Sequence, residues 1–144
     1  MSEEKSNYLP RSPVKHSRDE LNLLSPAVLS FIGDGVETLF ARSKVSFESG
    51  QKIGYLHKLT ARIVSAVDQA KAVKNILVVL TEEETQVYKR CRNAKTNTAS
   101  KNADIVDYKT ASGFEGLIGF LYLADEHERL NELLSIAYSE NLIT

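Results

Sequence analysis

The segment SGFEGLIGFLYLA, residues 112–124, restricts the possible folds of this chain more than any other part of it. Its apolar side chains leave almost no polar face, which is typical of a helix buried on all sides. The segment nevertheless holds one carboxylate, Glu115, and a stripe of glycines at a spacing of three, Gly113, Gly116 and Gly119. Each glycine inside a helix costs about 0.5–1 kcal/mol relative to alanine. The stripe therefore predicts that a second backbone packs against this helix, or that a bulky ligand passes beside it.

Helical periodicity extends over much of the remaining chain. Ser25 followed by Pro26 is the pattern of an N-cap and a first helical residue, so a helix is expected from Pro26 to about Arg42. Its broad apolar face consists of Val28, Leu29, Phe31, Ile32, Val36, Leu39 and Phe40. Asp34 and Glu37 fall on the opposite face of this helix, about 60° apart.

The same periodicity predicts further helices after a loop over residues 47–54. The first of them begins near Gly54 or Tyr55, and the second runs from a capping box at Thr81–Glu84 to about Arg92. The buried helix runs from about Ile105 or Tyr108 to Ala124, and a last helix lies around Leu130–Ala137. No stretch alternates with a period of two, so the chain is predicted to be all-α. A length of 144 residues suggests one domain, which we place at residues 21–144. Residues 1–20 are polar and are predicted to form a flexible tail, with structure beginning at Leu21.

Composition excludes several classes of protein. No apolar run reaches the ~18 residues that a membrane span needs, and the polar N-terminus lacks the apolar core of a secretion signal. The single cysteine, Cys91, rules out an internal disulfide and is typical of a reducing cytoplasm. One cysteine and three scattered histidines also argue against a zinc site. We therefore expect a globular cytoplasmic protein.

The charges are unevenly distributed, although the net charge of −1 gives no general sign of nucleic-acid binding. Residues 89–102, KRCRNAKTNTASKN, contain five lysines or arginines and no acid. A local basic segment on a neutral protein is a candidate contact for a polyanion. The alternative is an ordinary solvated polar loop, and the residues alone leave both open.

Glu115 needs a partner if its helix is buried, because an unpaired buried carboxylate is costly. It could pair in a structural salt bridge or cap, bind a metal, or take up a proton. Asp34 lies between Gly33 and Gly35 inside the first long helix. Two helices that each carry an acid beside glycines could cross closely and aim both acids at one point. Such oxygen ligands suit Mg²⁺ or Mn²⁺, and paired carboxylates with these ions are typical of phosphodiester hydrolysis.

Four segments of the chain together resemble one family. They are LSPAVLSFIGDGVETLFAR (24–42), LHKLTARIVSAVDQA (56–70), RCRNAK (90–95) and FEGLIGFLYL (114–123). Any one of them is weak, but the four in this order are specific. They resemble Mini-ribonuclease III, the compact bacterial relative of ribonuclease III that lacks a separate double-stranded-RNA-binding domain, and the resemblance covers roughly residues 22–140.

The resemblance implies an all-α ribonuclease III catalytic fold and a homodimer. It also implies Mg²⁺-dependent cleavage of double-stranded RNA that leaves 5′-phosphate ends, with Mn²⁺ as an alternative ion. The cellular task it suggests is maturation of the large-subunit (23S) ribosomal RNA precursor, with a large-subunit ribosomal protein as a candidate partner. Asp34 matches the acid of the family's GDA-type motif and Glu115 that of its FEALLG-type motif. Both are therefore expected to be catalytic and to bind the metal.

Three acids of the longer ribonuclease III enzymes are absent at the matching positions, which hold Ala27, Ser30 and Ser112. Fewer ligands predict weaker metal binding, completed by water and RNA phosphate. The thinned set also leaves an alternative open, a ribonuclease III fold that has lost catalysis and acts as an RNA-binding or ribosome-assembly factor. Glu37, one turn after Asp34, is interpreted as solvated rather than as a group that supports the metal.

Duplex RNA is bound mainly through phosphates and 2′-hydroxyl groups, so the basic loop supplies the first RNA-binding candidates. These are Arg90, Arg92, Asn93, Lys95 and Lys101. A second basic ridge is expected on one helix from His57, Lys58 and Arg62, although these charges could also serve only solubility. A dimer is expected because a two-fold axis would place one site on each RNA strand. The apolar face of the first long helix is broader than one core needs, so it is the expected dimer interface.

Overall fold

The computed structural model describes residues 10–49, 52–94 and 104–139. Within these ranges the chain forms α-helices and no strand, which confirms the predicted all-α class. The helices are α1 (Arg18–Leu23), α2 (Pro26–Ser49), α3 (Ile53–Ile63), α4 (Ala66–Ile76), α5 (Glu82–Arg92), α6 (Ile105–Leu123) and α7 (His127–Ala137). A 3₁₀ turn at Leu77–Val79 follows α4. In the part of the chain described, none of these helices combines the length and the apolar character that crossing a bilayer would require.

The helix α6 is the centre of the fold. It packs against α2, α4, α5 and α7. Its residues from Phe114 to Leu121 are buried, with Glu115 as the one partly exposed member of that run. Neighbours on several sides explain why this helix has almost no polar face. Burial of each large apolar side chain contributes about 1.5–3 kcal/mol to stability.

Glycines let α2 and α6 approach each other. A Cβ atom on Gly33 of α2 would overlap the carbonyl oxygen of Glu115 and would lie 3.0 Å from the amide nitrogen of Gly119. A Cβ atom on Gly119 would in turn overlap the carbonyl oxygen of Leu29. The two helices therefore touch backbone to backbone, and the prediction that the glycines mark a close approach is confirmed.

The other two glycines of the stripe are in contact with α5. A Cβ atom on Gly116 would overlap the side chain of Cys91, and one on Gly113 would lie 2.8 Å from Cε1 of Tyr88. Residues three apart on a helix are rotated by about 60° from each other. One stripe of glycines can therefore accommodate two different neighbouring helices.

Helix α1 was not predicted from the sequence. Its first residue is Arg18, and the prediction that structure starts at Leu21 is wrong. The reason is a capping box, in which Ser17 accepts from the amide of Glu20 at 3.1 Å and Glu20 accepts from the amide of Ser17 at 2.8 Å. These two bonds satisfy amides that the start of a helix leaves free.

The second helix is longer than expected and continues to Ser49 instead of ending near Arg42. Ala41 and Val45 are both buried, so the apolar face of α2 extends beyond the predicted end. Since α3 begins at Ile53, the loop predicted over residues 47–54 is helical at both of its ends. The extra length is held by packing of α2 against α3.

Candidate active site

Asp34 and Glu115 lie together where α2 and α6 cross. Asp34 directly follows Gly33, whose Cα is in contact with the backbone of Glu115. The two carboxyl groups are near enough to interact, since Asp34 is among the groups that raise the pKa of Glu115. Asp34 is exposed and Glu115 is partly buried, so the pair is open to solvent on one side. The structure thus brings together the two acids that the sequence singled out.

Glu115 has an unusual affinity for its proton. Burial raises its pKa to about 7, the hydrogen bond from Gln69 opposes this shift, and the nearby Asp34 adds to it. In that bond Nε2 of Gln69 donates to Oε2 of Glu115 at 3.2 Å. Because burial and the neighbouring Asp34 both disfavour the charged form of Glu115, a cation bound between the two acids would offset that cost.

The donor set of this pair fits a hard divalent cation. Mg²⁺ is bound in proteins by a small number of carboxylates, with other ligands from water and substrate phosphates. Over the described ranges no group of three or more His, Cys, Asp or Glu side chains is arranged to hold a metal ion. The fit to Mg²⁺ therefore depends on Asp34 and Glu115 as two oxygen-bearing groups that meet at one point.

Glu37 is not solvated, and that interpretation of the sequence is wrong. Its exposed fraction is 0%. Its Oε1 accepts a hydrogen bond from Nε2 of Gln69, and its Oε2 accepts one from the hydroxyl of Tyr138. Burial raises the pKa of Glu37 well above its ordinary value, the two hydrogen bonds oppose this, and the charges of Glu115 and Asp34 reinforce it. The face of α2 that looked polar in the sequence is covered here by α4 and by the end of α7.

Gln69 of α4 is a residue of the site that the sequence interpretation missed. It is 2% exposed and bonds to both Glu37 and Glu115. Ala72, Val73 and Ile76 of the same helix are also buried, at spacings of three, four and seven from Gln69. A polar residue in line with an apolar helical face was the available signal, because such a group must find a buried partner.

The two arginines at the end of α5, Arg90 and Arg92, make contacts within the protein. Nη1 of Arg90 donates to the carbonyl oxygen of Leu24 at 3.0 Å. The guanidinium carbon of Arg92 lies 5.6 Å from the ring centre of Tyr88, and Nε of Arg92 donates to Oδ1 of Asn93 at 3.0 Å. Both arginines are partly buried, whereas Asn93 is exposed. Arg90 thus has a structural bond that the sequence did not reveal.

The remaining RNA-binding candidates fall in two places. Lys95 and Lys101 lie outside the described residues. His57, Lys58 and Arg62 are all exposed on α3, as the predicted basic ridge requires. His57 also borders a groove of about 260 Å³ between α2 and α3.

Comparison with known proteins defines the class to which this fold and acid pair belong. The family model described as the Ribonuclease III domain matches residues 27–126. A crystal structure of a protein from Fusobacterium nucleatum has a similar fold, with a TM-score of 0.75 and 31% sequence identity, covering 88% of this chain and 100% of that one. The fold is therefore that of a ribonuclease III domain.

Similar proteins narrow the class further. Mini-ribonuclease 3 of Thermoanaerobacter sp. (strain X514) is 46% identical over 114 residues, which are 79% of this chain and 80% of the relative. Mini-ribonuclease 3 of Clostridium tetani (strain Massachusetts / E88) is 42% identical over 121 residues, 83% of this chain and 80% of the relative. The chain belongs to the Mini-ribonuclease III family, and its enzyme class is that of the double-strand-specific endoribonucleases.

Two of the positions where acids are absent are joined in this structure. The hydroxyl of Ser30 on α2 donates to the backbone carbonyl oxygen of Ser112 on α6 at 3.1 Å. The bond lies at the same helix crossing as the acid pair, one turn from Asp34 and one turn from Glu115. The Ser30 hydroxyl therefore joins the two helices beside the acid pair, and Ser112 contributes only its backbone carbonyl.

Proposed function

We propose that Asp34 and Glu115 are the catalytic residues and the metal ligands with which this enzyme hydrolyses phosphodiester bonds of double-stranded RNA. The observation that supports this most directly is the meeting of the two acids at the glycine contact between α2 and α6. Both acids also match the acids of the family's motifs. We assign Mg²⁺ to the pair, with Mn²⁺ as a substitute, because carboxylate oxygens suit both ions.

The proton of Glu115 has a defined place in this proposal. With its pKa raised by burial to about 7, Glu115 exchanges that proton under ordinary conditions of pH. Its release to solvent leaves two carboxylates at one point, which is the form that binds a cation. The chemistry supplied by bound Mg²⁺ is polarisation of a phosphate oxygen and activation of a water molecule. Asp34 is the exposed member and provides the side from which the RNA backbone can approach.

RNA would be held through phosphate and 2′-hydroxyl contacts rather than by reading of bases. We propose Arg92, Asn93, Lys95 and Lys101 for one group of contacts. Arg90 is the least suitable of the predicted RNA contacts, because Nη1 of its side chain donates to the carbonyl oxygen of Leu24.

The exposed ridge of α3 forms a second group, with His57, Lys58 and Arg62. Removal of one cation that neutralises a phosphate should lower the slope of log affinity against log salt by about one unit, or somewhat less. A Lys58→Ala variant is therefore expected to flatten the dependence of RNA affinity on salt.

A homodimer with α2 at its interface is the assembly we propose. Phe31 on this helix is 77% exposed, and Val28 and Leu39 are 43% and 42% exposed. Exposed apolar groups clustered on one helix face are typical of an interaction site. Phe31→Glu should shift the sedimentation coefficient to that of a monomer. Val78→Glu, at a residue 87% exposed on the 3₁₀ turn, is the matched control and should not.

The cellular substrate we propose is the precursor of large-subunit (23S) ribosomal RNA, in the cytoplasm, with a large-subunit ribosomal protein as a candidate partner. The catalytic domain we propose starts with α1 at Arg18, three residues before the predicted boundary at Leu21. These assignments are supported by family membership.

The test is cleavage of a long RNA duplex by the full chain, with Mg²⁺ or with a chelator. Asp34→Asn and Glu115→Gln should abolish cleavage while RNA binding, measured by filter retention, is kept. Glu82→Gln, which changes an exposed acid on α5, is the control and should cleave normally. Wild-type rates in either site variant would refute the assignment of the site. Binding without cleavage by the unmodified protein, under Mg²⁺ and Mn²⁺, would favour the alternative of an RNA-binding assembly factor.

A further inference from the structure

A buried chain of hydrogen bonds leads from Glu115 into the protein. Nε2 of Gln69 donates to Oε2 of Glu115 at 3.2 Å and also to Oε1 of Glu37. An amide nitrogen carries two hydrogens, so one side chain can serve both carboxylates. Gln69 on α4 thereby connects an acid of α2 with an acid of α6.

Glu37 and Tyr138 determine the orientation of this amide. Glu37 accepts from Gln69 through Oε1 and from the hydroxyl of Tyr138 through Oε2. The ring of Tyr138 is packed against Phe40 and Phe114, with ring centres 5.8 Å and 6.2 Å apart. Since carboxylate oxygens accept hydrogen bonds, the nitrogen of Gln69 rather than its oxygen is directed at Glu115.

Glu115 is consequently held from two sides. Gln69 on α4 donates a hydrogen bond to its carboxylate, and Asp34 on α2 interacts with it from the other helix. A free carboxylate rotates about its terminal bond with little resistance. The bond from Gln69 to Oε2 restricts that rotation and leaves Oε1 for another ligand.

We propose that Gln69 is a positioning residue for Glu115, and that Glu37 and Tyr138 hold Gln69 in the orientation this requires. The inference rests on the proposed role of Asp34 and Glu115 in metal binding. Groups that orient a metal ligand without touching the metal typically change metal affinity or activity by roughly 10- to 100-fold when they are removed. The same range is expected for Gln69.

Gln69→Met tests the proposal, because methionine has a similar length but cannot donate to Glu115. The amount of Mg²⁺ needed for half-maximal single-turnover cleavage of duplex RNA should rise roughly 10- to 100-fold. RNA affinity without metal should not change. Tyr138→Phe removes only the hydroxyl behind Glu37 and should shift the Mg²⁺ requirement in the same direction by a smaller factor.

The matched control lies on the same helix. Nδ2 of Asn75 donates to the carbonyl oxygen of Ala137 at 3.0 Å, so Asn75→Leu also removes a partly buried amide bond between α4 and α7. It should lower the midpoint of thermal unfolding and leave the Mg²⁺ requirement unchanged. A purely structural role for Gln69 would make Gln69→Met behave in the same way as this control.

The outcomes distinguish a wrong assignment of the metal site from a wrong assignment of the positioning role. If Glu115→Gln still cleaves RNA, the proposed site is wrong. If Glu115→Gln is inactive while Gln69→Met and Tyr138→Phe both keep the wild-type Mg²⁺ requirement, the site stands and the positioning role is refuted. Should Gln69→Met fold poorly, the Tyr138→Phe result decides the matter by itself.

Discussion

Gly33 and Glu115 are in contact through their backbones, and there is no room for a Cβ atom on Gly33 beside the carbonyl oxygen of Glu115. Gly33→Ala should therefore push α2 away from α6 and separate Asp34 from its partner. Overpacking of this kind costs typically about 1–3 kcal/mol. Urea unfolding should show the loss, and cleavage of duplex RNA should fall with it.

Gly35 provides the matched control for that substitution. A Cβ atom there would have nothing within 4 Å, although the residue lies in the same helix two positions later. Gly35→Ala should stabilise the protein by about 0.5–1 kcal/mol through helix propensity. Equal loss of stability in both variants would contradict the backbone contact.

The raised pKa of Glu115 predicts that Mg²⁺ binding depends on pH. Below about pH 7 a proton must leave Glu115 before the cation binds, so affinity should fall by up to about tenfold per pH unit. The increase in unfolding temperature caused by a fixed Mg²⁺ concentration should therefore be larger at pH 8 than at pH 6. Asp34→Asn should show little increase at either pH. A pH-independent increase in the unmodified protein would contradict the prediction.

Glu37 should make the protein less stable as pH rises. Burial holds its pKa in the folded state well above the ordinary value, so the folded state retains a proton that the unfolded state has lost. The free energy of unfolding then decreases with pH, from the ordinary pKa upwards. Glu37→Gln has no such proton; its amide oxygen can still accept from Gln69, whereas its amide nitrogen would have to donate to the hydroxyl oxygen of Tyr138. The variant should gain stability relative to the wild type between pH 5 and pH 8. Denaturant titrations at both values measure the difference.

Arg129 and Glu84 form a structural ion pair between α7 and α5. Nε of Arg129 donates to Oε2 of Glu84 at 2.9 Å, and Nη2 donates to Oε1 at 2.8 Å. Because Glu84 is buried while Arg129 is only partly so and Thr81 still donates to Glu84, Arg129→Met should cost about 1–3 kcal/mol. The exposed pair of Arg11 and Asp125 is the comparison, and Arg11→Met should cost about 1 kcal/mol or less.

The same ion pair should stabilise the folded protein at neutral pH and lose this effect in acid. Burial alone would raise the pKa of Glu84, but hydrogen bonds from Arg129 and Thr81 outweigh it and lower the pKa. The stabilisation is complete above the ordinary pKa of a glutamate and is lost as pH falls through the lowered value. Acid unfolding of Arg129→Met should show a weaker dependence on pH over that interval. If the dependence of unfolding on pH in acid is the same in Arg129→Met and the wild type, Glu84 does not contribute to that dependence.

Local patterns in the chain are sufficient to predict the all-α class, the capping box at Thr81–Glu84 that starts α5, and the close packing around α6. These depend on short-range chemistry. Helical periodicity, caps and glycine spacing each involve residues within a turn or two of one another. Asp34 and Glu115 could be selected for the same reason, since each is a carboxylate beside glycines in its own helix. Helix α1 was not predicted, and α2 ends later than expected, because burial of residues such as Val45 extends a helix beyond its local pattern.

Long-range packing, in contrast, controls which of the polar residues are buried and what they contact. A helical wheel places Glu37 relative to Asp34 but does not say which neighbouring helix covers it. Its partners, Gln69 and Tyr138, come from positions 32 and 101 residues away. Arg90 likewise bonds to Leu24, 66 residues distant, in a contact that no local pattern indicates. The helices follow from interactions along the chain, whereas the support around Glu115 exists only because packing brings three distant helices to one point.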